Sequence, residues 1–130
     1  MIKPEPSLSL VLWLSECADK DLFITSFTIA EISRGILEMP VGKKRAALEA
    51  WFAGGDGPQT QFAGRVLPFD EKAGLVWAQL MAEGKAAGRS RSAVDMILAS
   101  VAIANACVIV TDNERHFAGL NFINPLRTGL

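Results

Sequence analysis

Two short runs constrain this chain more than any other feature. Leu22-Phe23-Ile24-Thr25 and Cys107-Val108-Ile109-Val110-Thr111 are almost wholly apolar, rich in β-formers and without polar alternation. A strand with one wet face alternates apolar and polar residues; a strand without that alternation is buried on both faces. That is the habit of a parallel sheet covered by helices on either side. The segments between the two runs carry helical spacing, so the expected class is α/β, with strands and helices alternating.

The flanking pattern fills in the elements. Ser7 caps a helix with Leu8, Val11, Leu12 and Leu14 on one face, ending near Ala18. Ser26 or Thr28 starts a second helix carrying Ile29, Ile32, Ile36 and Leu37, which Pro40 stops. Lys43 to Phe52 reads as a third, with Ala46, Ala47, Ala50 and Trp51 inward. Gly54-Gly55-Asp56-Gly57-Pro58 is the strongest breaker and is expected as an exposed loop. It is no phosphate-binding loop, because no GKS or GKT follows it. Arg65–Phe69 reads as a strand, and Asp70 caps a long helix from Glu71 to about Ala87. Ala73, Val76, Trp77, Leu80 and Met81 face inward there; Gly84 is its weak point and Gly88 its stop. Ser92 begins a helix running to about Asn105. Asp112 to Phe117 is a polar loop, and Asn121–Asn124 is a short last strand.

Composition bounds the function. The 130 residues suit one domain. A net charge of −1 supplies no basic field of the kind that announces a sequence-specific DNA binder. It leaves open an enzyme that holds RNA phosphates through metal ions. Cys17 and Cys107 form no CxxC pair and read as buried free thiols of a reducing compartment. No signal peptide is visible. The most apolar stretch, Met96 to Val110, falls short of the ~20 residues that span a membrane. A cytoplasmic protein is expected.

The chemistry rests on acids. In open parallel sheets, sites form beyond the carboxyl ends of the strands. Asp112 and Asn113 follow the strand Cys107–Thr111. Glu31 lies in the helix after Leu22–Thr25, and Asp95 in the first turn of the helix that Ser92 begins. Carboxylates gathered there suit Mg²⁺ or Mn²⁺, which prefer oxygen ligands, and the metal-assisted phosphodiester hydrolysis they support needs no histidine. Each acid also has a plainer role. Asp95 follows Ser92, and Glu31 follows Thr28, at the spacing of a helix capping box. Asp112 and Asn113 are ordinary turn residues. His116 is the sole histidine, and no nucleophilic Ser or Cys is placed to make a triad with it. Lys85, Arg89 and Arg91 lie close to Asp95 in sequence, where they serve as RNA phosphate contacts, a seat for the acidic arm of a partner, or a solvated loop.

Four stretches, in order, resemble the PIN-domain toxins, the VapC ribonucleases of toxin–antitoxin pairs. They are Leu22–Ser26 with Ala30-Glu31-Ile32-Ser33-Arg34-Gly35-Ile36; Gly64–Asp70; Gly88-Arg89-Ser90 with Ser92-Ala93-Val94-Asp95-Met96-Ile97-Leu98-Ala99; and Val110–Asn113 with His116-Phe117, Gly119-Leu120 and Asn124-Pro125. The resemblance implies a PIN-like three-layer fold, a small parallel sheet flanked by helices. It implies a Mg²⁺- or Mn²⁺-dependent endoribonuclease with an RNA substrate, a cognate antitoxin and a homodimeric state. Carried over by position, Glu31 and Asp95 match the family's second and third acids, and the fourth polar position falls on Asp112 or Asn113. Asp95 is then the main metal ligand, with Glu31 orienting water or binding metal through water. One part of the pattern is absent. Family members open on a strand ending in Asp-Thr-Asn or Asp-Thr-Ser, whereas this sequence opens with Met1-Ile2-Lys3-Pro4-Glu5-Pro6. The first strand and its Asp are therefore expected to be missing from a truncated domain. That sets a second expectation beside the first: a catalytically impaired module that only binds an antitoxin or another copy of itself.

Overall fold

A computed structural model describes residues 21–89, 91–111, 114–120 and 122–123. The helix expected over Ser7–Ala18, Cys17, and the site candidates Asp112 and Asn113 lie outside the described residues.

The first strand, β1 (Ile24–Thr25), runs parallel to β2 (Val66–Leu67), with Ile24 opposite Val66 and Thr25 opposite Leu67. The second pair, β3 (Ile109–Val110) and β4 (Phe122–Ile123), is parallel too, with Ile109 opposite Phe122. The expected parallel pairing is therefore present, in ladders shorter than the apolar runs that announced them. Burial on both faces is not what these positions have. Ile24 and Ile109 are half-buried, while Phe23 and Val108 are 47% and 42% exposed. Among the described residues each strand has a single hydrogen-bonded neighbour.

Helix α1 (Ser26–Leu37) starts at Ser26, the earlier of the two expected starts, and its cap is the residue before, Thr25. Thr25 is still extended as the last residue of β1, and its Oγ1 accepts from the Thr28 amide at 2.8 Å. The strand thus hands its final side chain to the helix as a cap. Ile36 is buried, but Leu37 is 56% exposed, because the stripe turns off the packed face before Pro40.

Helix α2 (Lys43–Ala53) corrects the expected orientation. Ala46, Ala47, Ala50 and Trp51 are exposed; Leu48 and Phe52, one turn apart, are the half-buried pair. Methyl groups gain little from burial, so the three alanines do not hold their face inward; Leu48 and Phe52 turn in, and Trp51 is left 40% exposed. Arg45 is anchored alongside by bonds to the Met39 carbonyl (3.2 Å) and Glu49 (2.7 Å).

The glycine-rich breaker is a loop, exposed at Gly55 and Asp56 as expected, but its end is not. Gly57 and Pro58 are buried, and Pro58 opens the short helix α3 (Pro58–Gln61). A Cβ on Gly57 would lie 2.3 Å from the Phe52 carbonyl oxygen, so the chain can fold back on the end of α2 only as glycine. Arg65 then ties the strands at this end: its Nη1 donates to the Leu22 carbonyl at 2.7 Å, and its guanidinium stacks 5.1 Å from the Phe62 ring centroid.

The core lies between the two long helices. Asp70 Oδ1 accepts from the Ala73 amide and caps α4 (Glu71–Ala86), as expected. Ser92 caps α5 (Ala93–Ala104). Leu80, Met96, Ala99 and Phe117 form the buried cluster, with Val76, Trp77, Met81, Ile109, Leu120 and Phe122 packed around it. Phe117 comes from a 3₁₀ turn (Glu114–Phe117), which replaces part of the polar loop expected there. Trp77 Nε1 donates to the Ala93 carbonyl at 3.1 Å and pins the start of α5 to α4. Among the described residues no helix is long and apolar enough to cross a membrane.

Candidate functional site

Two helix starts converge on one cleft. On α1, Phe27, Thr28, Glu31 and Ile32 recur at the spacing that puts side chains on one face; on α5, Val94, Asp95 and Leu98 do the same. Together these seven residues line a cavity of about 120 Å³. Glu31 and Asp95, distant in sequence, therefore open into one space. Asp95 is half-buried and Glu31 exposed. Phe27, Ile32, Val94 and Leu98 give the cleft apolar walls.

The capping roles set beside these acids part company. For Asp95 the serine half of the arrangement is present: its backbone amide donates to Ser92 Oγ at 3.2 Å, so it sits in the first turn of α5. The helix dipole favours a carboxylate there, whatever else that carboxylate does. For Glu31 the capping role disappears. The cap of α1 is Thr25, and no acid lies in that helix's first turn. Glu31 instead projects from the second turn, level with Thr28 on the cleft wall. Thr28 Oγ1 lies 2.8 Å from Thr25 Oγ1, so the last residue of β1 also orders the hydroxyl beside Glu31.

The donor chemistry fits a small hard cation. Mg²⁺ is commonly held by only one or two carboxylates and keeps several waters and substrate phosphates in its shell. Glu31 and Asp95 supply two carboxylates, with a threonine hydroxyl on the same wall. Among the described residues no group of three or more His, Cys, Asp or Glu side chains forms a metal cluster. The sequence reading did not place Phe27, Thr28, Ile32, Val94 or Leu98 in the site. The available signal was periodicity: Phe27 is one turn before Glu31, and Leu98 one turn after Asp95.

Arg89 and Arg91 do not enter the acidic cleft. They line a separate and larger cavity, about 570 Å³, with Met81, Ala82, Lys85 and Gly88. Arg91 Nη1 donates to the Leu80 carbonyl at 2.9 Å, and Glu83 lies 4.0 Å away. The two cavities lie on the approach to α5 and on its first turns.

Comparison with known proteins places the chain. The PIN domain family profile matches residues 3–122. A protein described as VapC ribonuclease Y4jK, from Sinorhizobium fredii, is 34% identical over 125 residues, covering 95% of this chain and 88% of that protein. The crystal structure of FitAcB from Neisseria gonorrhoeae superposes with a TM-score of 0.87 at 28% identity, covering 96% of this chain and 90% of that one. A member of the VapBC family of toxin–antitoxin systems, VapBC-5 from Mycobacterium tuberculosis, gives a TM-score of 0.60 at 26% identity, covering 77% of this chain and 79% of that one.

Proposed function

The chain belongs to the PIN-domain family, among its VapC-type toxins, and from that premise we propose that it is a metal-dependent endoribonuclease toxin. The observation that carries the proposal is the convergence of Glu31 and Asp95 on one cleft. The ribonuclease named among its relatives supports RNA as the substrate.

Asp95 and Glu31 would hold the Mg²⁺ or Mn²⁺. When bound, such an ion lowers the pKa of a coordinated water and offsets the charge that builds on the phosphate. Asp95, half-buried at the start of α5, would be the direct carboxylate ligand. Glu31, more exposed, accepts a hydrogen bond from the attacking water and orients it. Thr28 holds the wall beside Glu31. Asp112 and Asn113 follow β3 in sequence and complete the proposed polar set. The apolar walls limit bulk water, which strengthens the electrostatics inside.

The toxin–antitoxin system found for one structural neighbour supports an antitoxin as the protein partner. We propose a homodimer as the state in which the toxin acts, in the cytoplasm where its RNA lies. Exposed Leu37 and Val41 on the α1–α2 side offer apolar surface that a protein partner would cover.

The test pairs cleavage with metal binding. Wild-type protein should cut single-stranded RNA in Mn²⁺ and show a raised melting temperature on adding the ion. Asp95→Asn should abolish both, and Glu31→Gln should slow cleavage roughly 10²-fold. A metal-induced shift that persists in Asp95→Asn refutes the site. A wild type that binds its antitoxin, yet cuts no RNA in either metal, turns the reading to the binding-only module.

A further inference from the structure

We propose that the cavity at the α4–α5 turn is a second substrate subsite, which grips phosphates of single-stranded RNA beside the bond cut at the acidic cleft. It deepens the ribonuclease reading and rests on it.

The acidic cleft has an electrostatic problem. A polyanion must approach two carboxylates on a chain whose net charge is −1. Binding then needs cations close to the cleft, because the protein's overall field supplies none. Lys85, Arg89 and Arg91 meet that need in one concave place. Its volume of about 570 Å³ falls in the range of small-molecule sites, with room for a nucleotide-sized group.

One cation, Arg91, is held in position, and the backbone that carries Arg89 is fixed beside it. Arg91 spends one nitrogen on the Leu80 carbonyl at 2.9 Å, and a guanidinium carries five N–H donors, so it is held while still able to donate. The Arg89 amide donates to the Gly84 carbonyl at 2.9 Å, which folds the turn back on α4. Gly84 makes this approach possible: a Cβ there would lie 2.9 Å from the Arg89 carbonyl and 3.0 Å from Arg91 Cγ. Met81 and Ala82 form an apolar floor. Arginine pairs with phosphate oxygens bidentately, which suits this lining to a phosphodiester chain.

The link to the cleft is short and stiff. Arg91 and Asp95 flank the Ser92 cap, and the Trp77–Ala93 bond locks that cap to α4. RNA is favoured over an acidic protein arm because the scissile strand itself must lie across Asp95. Its neighbouring phosphates are then the anions delivered to Arg91.

The experiment measures binding of a single-stranded RNA of about 12 nucleotides by fluorescence anisotropy, without divalent metal and over a series of KCl concentrations. Lys85→Gln/Arg89→Gln should reduce the slope of log K against log salt by about 1.4, two contacts at about 0.7 each, and weaken affinity about tenfold at 0.1 M salt. Lys43→Gln/Lys44→Gln, on exposed cations of α2, should leave the slope unchanged. Unaltered melting curves establish that both variants fold. A double variant with the wild-type slope overturns the subsite, as does loss of binding to a polyglutamate peptide with RNA binding intact. Absence of RNA binding by the wild type also overturns it. A wild type that cuts RNA in Mn²⁺ but shows no dependence on Lys85 and Arg89 sinks the subsite alone. A wild type that shows the dependence and never cuts sinks the ribonuclease reading and, with it, the substrate subsite, leaving an RNA-binding surface alone.

Discussion

Replacing Gly84 by alanine sets two physical effects against each other, and the structure decides the sign. In an open helix interior the change stabilises by about 1 kcal/mol, since glycine has the greater backbone freedom to lose. Gly84 is not in the open. It is buried in α4, and an added Cβ would meet the Arg89 carbonyl oxygen at 2.9 Å and Arg91 Cδ at 3.0 Å. The arginine side chain can yield, but the carbonyl belongs to backbone that is itself bonded to Gly84. Overpacking of this kind costs about 1–3 kcal/mol, so a net destabilisation of about 1 kcal/mol is expected. For a chain of this size that lowers the melting temperature by roughly 3–5 °C. Urea unfolding followed by circular dichroism measures it, with Ala78→Gly on the exposed side of α4 calibrating helix propensity alone. Hydrogen exchange supplies a local readout, because the Arg89 amide should lose protection. A more stable Gly84→Ala protein with that amide still protected refutes the reasoning.

Two further outcomes test the core and the cleft's support. Met96→Ala, at a position 1% exposed in the cluster with Leu80 and Phe117, should cost about 2–5 kcal/mol; a loss under about 1 kcal/mol by urea titration would show that α4 and α5 are not packed as described. Thr25→Ala removes the cap of α1 and the partner of the Thr28 hydroxyl, and should cost about 1 kcal/mol. Thr25→Ser should restore that stability, and failure of the rescue would mean that the methyl group, not the hydroxyl, matters there.

Much of the fold was legible because local rules and tertiary packing agreed. Asp70 and Ser92 are side chains that compete for nearby amides, so both helices they cap were placed to within a residue or two. The 3.6-residue stripe of Ala73, Val76, Trp77, Leu80 and Met81 named the buried face of α4. The rule failed on α2, where alanines gave a pattern without enough area to enforce it, and Leu48 with Phe52 set the orientation.

Residue types and their order determined the class of fold, the helix boundaries and the candidacy of Glu31 and Asp95, because capping, periodicity and hard-oxygen chemistry act over a few residues. Tertiary structure alone decided which acid sits in a capped first turn, Asp95 behind Ser92, and which does not, Glu31. Thr25 ends a strand that pairs with Val66–Leu67, and only that pairing leaves Thr25 extended and able to cap α1. Only packing separated Arg89 and Arg91 from the acids, by folding the turn onto Gly84 and into a cavity of its own. Gly57 and Gly84 look like breakers in a string of letters. Each is where one piece of backbone comes within about 3 Å of the space a side chain would fill, and a close approach between distant atoms is visible only once the chain has folded.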